Sequence, residues 1–166
     1  MNAGLLIRLS TVAVLSAQGV PAIPAKPGTA AGTVQAGGAT VKLVHAYASG
    51  PIDWGGTVYQ IVLTDAPVAE SALAKELQPK GGLTLLRSRK VSGVALLIDD
   101  SGLIRNLIPF IGDLRGSAML SSAGSVSSFA VRDGRVVGQH QRSADSTMGQ
   151  GWSYAASWNA VLRKPQ

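Results

Sequence analysis

The sequence predicts a mainly β protein, an antiparallel β-sandwich or small β-barrel of about eight strands with one short helix. Three observations carry that expectation. Apolar residues return at every second position in one segment after another. Turn residues punctuate these segments at intervals of roughly 8 to 12 residues. Only one stretch of the chain has helical spacing.

The elements follow in chain order. In "VKLVHAYA" (41–48) the alternation sets Val41, Leu43, His45 and Tyr47 on one face, with Lys42, Val44, Ala46 and Ala48 on the other. "TVYQIVLT" (57–64) sets Tyr59, Ile61 and Leu63 against Val58, Gln60 and Val62. "PVAESALAKEL" is the helical stretch, two to three turns long and rich in Ala, Leu, Glu and Lys. Asp65 or Ser71 is its expected cap and "QPKGG" its stop; it is expected to cover an open end or edge of the sheet. "SGVALLI" and "GLIRNLIPFI" flank "DDSG", whose early Asp and late Gly suit a tight turn, so 93–108 reads as a hairpin. Pro109 should end that ladder or lie at an edge, because it has no amide to donate. "SSFAVRDGRVVGQHQ" is a second hairpin, with Asp133-Gly134 fit for a type I′ turn. "WSYAASWNAVL" closes the series, with Trp152, Tyr154, Ala156, Trp158, Ala160 and Leu162 facing one way.

Length and composition bound the rest. A chain of 166 residues, 46% hydrophobic, is long enough to bury a core in one domain without staples. The first 25 residues read as an export signal: Arg8, an apolar run from Leu9 to Leu15, then small-residue cleavage patterns at Ala17-Gln18-Gly19 and Val20-Pro21-Ala22. That run is too short to span a membrane. Residues 26–32 follow as a flexible leader and 33–163 as a single β-domain. With no cysteine there is no disulfide framework, which fits a periplasmic or secreted bacterial protein.

The formal net charge is +6, or +5 once Arg8 is set aside. Its one dense cluster, "RSRK" at 87–90, is not interleaved with aromatics, so it reads as a solvated loop and disfavours nucleic acid as a partner.

Recognisable chemistry is sparse. No G-x-S-x-G elbow, metal-ligand spacing or phosphate-cradling glycine loop occurs, and no cofactor is implied. Asp99, Asp100 and Asp133 read as turn residues. His140 shares a face with Val136 and Arg142 and is expected to be exposed. His45 and Tyr47 are candidate ligand-binding residues, although a half-buried histidine on an apolar face more often has a structural role. Trp152, Tyr154 and Trp158 are the other candidates, since aromatic faces stack on sugars or line ligand cavities; core packing is the ordinary alternative.

Four segments, "GTVQAGGATVKLVHAYA", "YQIVLTDAPV", "FAVRDGRVVGQ" and "WSYAASWNAVL", together resemble a group of small exported bacterial β-domain proteins of unknown function. The resemblance implies an exported β-domain and no active site. The expected function is therefore a non-enzymatic binding or structural module of the bacterial envelope, with a glycan, lipid or envelope protein as partner. The alternative is a hydrolase built on His45 with Ser49 or Asp53, and a third reading is a self-associating surface-layer or matrix component.

Overall fold

A computed structural model describes residues 19–77, 91–112, 114–115, 124–144 and 151–165. The apolar run 9–15, "QPKGG" and "RSRK" lie outside the described residues. Among the described residues nine strands and one helix follow one another: β1 (Thr29–Ala36), β2 (Ala39–Asp53), β3 (Thr57–Thr64), α1 (Glu70–Glu76), β4 (Gly93–Asp99), β5 (Ile104–Ile111), β6 (Leu114–Arg115), β7 (Ser127–Arg132), β8 (Arg135–Arg142) and β9 (Trp152–Arg163). They form one sheet in the order β6-β5-β4-β3-β2-β1-β9-β8-β7. Neighbours in that order are antiparallel. Beyond the start of β1 its two flanking strands meet in parallel, Tyr47–Ser49 of β2 beside Val161–Arg163 of β9.

The sheet curls into a half-barrel. At its flanks Leu103 bridges Ser125, with the Ile104 amide donating to Gly124 and the Val126 amide to Gly102. Across the same curl, Tyr59 of β3 meets Phe129 of β7 with ring centroids 6.3 Å apart. Pro109 lies within β5 instead of ending it. It pairs with Val94 on the β4 side, and the ladder to β6 begins only at Phe110, so among the described residues no strand pairs with Pro109 on its other side, where a missing amide is tolerated.

The inner face holds the main core. Leu43, Ile61, Leu63, Leu96, Ile104, Leu107, Trp152 and Trp158 are among its fully buried side chains. Trp158 fits because its partner across the β8–β9 ladder is Gly138, where a Cβ would come within 2.8 Å of the indole and 2.5 Å of Val126. Gly32 has a similar cause: its φ of +140° and a Cβ position 2.1 Å from the Ala155 carbonyl oxygen exclude any side chain.

A second apolar cluster lies on the outer face. There Leu73 and Leu77 of α1 and the adjoining segment pack with Val62, Val91, Ala95, Ile108 and Phe110. The helix thus covers the outer face of β3–β5, not an end or edge of the sheet. Its N-cap is Ala69 with no side-chain cap; Asp65 instead accepts the Ser92 amide, and Ser71 lies inside the helix. Arg163 at the end of β9 pairs with Glu70 and ties the helix to the strand.

One expectation about the chain's start is revised. The leader is shorter than 26–32, because Thr29 already pairs with His45 and Asn159. Upstream, residues 21–25 lie across the outer face of β8 and β9. Gln139 donates to the Pro21 carbonyl, Ser157 to Ala22, and the Asn159 amide group to both Pro24 and Ala25.

Candidate functional site

His45 is half-buried beside Tyr47 as expected, but on the other face of the sheet, whereas His140 departs from its expected exposure. His45 does not share an inner face with Leu43. Opposite this point the β1–β2 register slips, with Thr29–Gly32 facing only Leu43–His45. The alternation changes phase there, so Leu43, Ala46 and Ala48 face the core while Tyr47 packs against the outer cluster. His45 is half-buried and stacked on Tyr47, with centroids 6.5 Å apart and planes 16° from parallel. The Tyr47 hydroxyl accepts the Val68 amide at 3.0 Å, anchoring the lead-in to α1.

The suggested catalytic partners of His45 are occupied elsewhere. Ser49 is buried and donates to the Leu77 carbonyl at 3.0 Å. Asp53 is exposed at the β2–β3 turn, where it accepts the Gly55 amide. At about 3.3 Å per residue, Ser49 stands roughly 13 Å along the strand from His45, beyond proton-transfer reach.

His140 is buried, not exposed. The β8–β9 register aims it inward beside Tyr154, whose hydroxyl lies 2.5 Å from Nδ1. Burial raises the Tyr154 pKa far above its ordinary value, and the nearby Arg142 charge only partly offsets that effect. Arg142 lies 4.3 Å over the Trp152 ring and donates to the Trp152 carbonyl at 2.7 Å. The aromatic stripe is therefore interior: Trp152, Tyr154 and Trp158 are core side chains and not a surface platform.

The exposed aromatic is Trp54, at the β2–β3 hairpin tip, with 64% of its surface open. Its amide donates to the Gly56 carbonyl at 3.1 Å while Asp53 holds Gly55, so a short hydrogen-bonded turn presents the indole. Pro51, Ile52, Asp53, Gly56 and Thr57 line a shallow hollow next to it. Alternation carries no sign of Trp54, because this residue belongs to no strand face. Its signal was a tryptophan inside a turn sequence, "DWGG", where no packing partner is expected.

Among the described residues, no group of three or more His, Asp or Glu side chains is placed to hold a metal ion, and no helix is long and apolar enough to cross a membrane. No family model, curated protein or solved structure matches the chain.

Proposed function

We propose that this chain is an exported, non-catalytic binding module of the bacterial envelope, and that it meets a glycan at the β2–β3 hairpin tip. The observation that carries the reading is Trp54, a large aromatic held open to solvent beside a carboxylate and a hollow. A flat indole packs against the C–H face of a sugar ring, while Asp53 and the turn's backbone groups are suited to its hydroxyls. A glycan is preferred over a lipid surface because the Asp53 carboxylate adjoins Trp54 and would be repelled by anionic headgroups. The export reading is supported by the N-terminal small-residue pattern and by the resemblance of four segments to exported β-domains. The non-catalytic reading is supported by the separation of His45, Ser49 and Asp53 along a single strand.

Calorimetric titration with soluble peptidoglycan fragments and other envelope polysaccharides tests this directly. Saturable binding that Trp54→Ala abolishes is the expected result. Binding unchanged in Trp54→Ala, or no binding across the set, overturns the assignment.

A further inference from the structure

We infer that the chain is processed between Gly19 and Val20, so that the exported protein begins at Val20 and keeps residues 20–25 as a strap on its own sheet. This deepens the proposed export and rests on that reading. Three small-residue endings lie close together, at Gly19, Ala22 and Ala25. Sequence pattern alone does not rank them, but the fold does.

The strap has a continuous set of partners on the outer face. Pro21, Ala22, Pro24 and Ala25 each offer a carbonyl, and the side chains that take them stand on two adjacent strands. Ser157 is fully buried and Asn159 only 5% exposed. Polar side chains at such positions are ordinarily satisfied by a partner within the protein, and here the strap is that partner. Its prolines suit an extended segment that makes no ladder of its own. Further along, Gly28 donates to the Asn159 carbonyl and accepts the Ala46 amide, so the strap runs without a break into β1.

The three cuts therefore differ in consequence. Hydrolysis after Ala25 removes every one of these acceptors, and hydrolysis after Ala22 removes those of Gln139 and Ser157. Hydrolysis after Gly19 removes none of them, since among the described residues the first of these acceptors is the Pro21 carbonyl. Gly19 is itself exposed, one residue ahead of the half-buried Val20 and Pro21. Ala17 and Gly19 then supply the two small residues that a leader peptidase accepts, at the third and first positions before the cut.

The test uses the full chain with its own N-terminus, expressed in a bacterium and fractionated, followed by intact mass and N-terminal sequencing. An exported chain beginning at Val20 is expected. Gly19→Leu should accumulate uncut precursor, whereas Ala22→Leu, which alters an exposed side chain and leaves the carbonyl in place, should be processed like the parent. An exported chain beginning at Ile23 or Lys26, or normal processing of Gly19→Leu, overturns the site while leaving export intact. Uncut chain confined to the cytoplasm overturns the export reading itself, and the site with it.

Discussion

The Tyr154 hydroxyl lies 2.5 Å from Nδ1 of His140, so the polar end of this buried ring is matched to a buried histidine on the neighbouring strand. Tyr154→Phe keeps the ring and removes that partner. Stability measured by urea unfolding should fall by about 0.5–1.5 kcal/mol, the usual net worth of one intramolecular hydrogen bond.

The same tyrosine sets an alkaline limit. Burial raises its folded-state pKa above the ordinary value of 10.0, with Arg142 offsetting only part of the rise. Below the unfolded-state value both states are protonated and this stabilisation is complete. Above it the unfolded chain loses the proton first, so stability falls as pH rises past about 10. Melting curves between pH 8 and about 11.5 should show that decline, and Tyr154→Phe should flatten it relative to the parent.

Asp99 sets the corresponding acid limit at the β4–β5 turn. Burial opposes its ionisation, but hydrogen bonds from Ser101, Leu103 and Arg105 outweigh that and hold its pKa below 3.8. Its contribution is present above that value and is lost as pH falls through the lower folded-state value. Asp99→Ala should cost about 1–3 kcal/mol near neutrality and soften the acid transition. Arg105→Ala should cost under about 1 kcal/mol, because the arginine side chain is 56% exposed.

Glycine substitutions separate crowding from turn geometry. Gly32→Ala places a Cβ against the Ala155 carbonyl and should cost about 3 kcal/mol or more, or prevent folding. Gly37→Ala, at a hairpin φ of +56° with open space around it, should cost about 1–2 kcal/mol. Thermal melts of the two variants check the ranking.

The three tryptophans offer another comparison. Trp54→Ala should change stability by less than about 0.5 kcal/mol, whereas Trp158→Ala should cost about 3–5 kcal/mol. In the parent, acrylamide should quench the Trp54 component and spare the buried Trp152 and Trp158.

What was legible in the sequence was local. Asp133 and Gly134 adopt φ of 51° and 67°, as a type I′ turn demands, because that geometry depends on the two residues themselves. The inner face of β9 follows strict alternation from Trp152 to Ala160. The inward side of β8 was also readable, since His140 alternates with Val136, but its burial depends on Tyr154 in another strand and on the curl of the sheet. The phase change in β2 arises from a register slip against β1, which neither strand reveals alone. The strap was hidden for a similar reason: its partners lie more than 100 residues away. Single-strand periodicity carries no information about such pairings.

The position of β1 has a consequence for the order of assembly. This early strand sits mid-sheet, hydrogen-bonded along its length to β9, the last strand, with Thr29 opposite Asn159 and Ala36 opposite Trp152. While the ribosome is still making the chain, half of β1's backbone bonds have no mate. The sheet therefore becomes whole only after synthesis has passed residue 163, and loop closure across most of the chain makes that joining slow. A polypeptide built this way locks only when β1 and β9 come together.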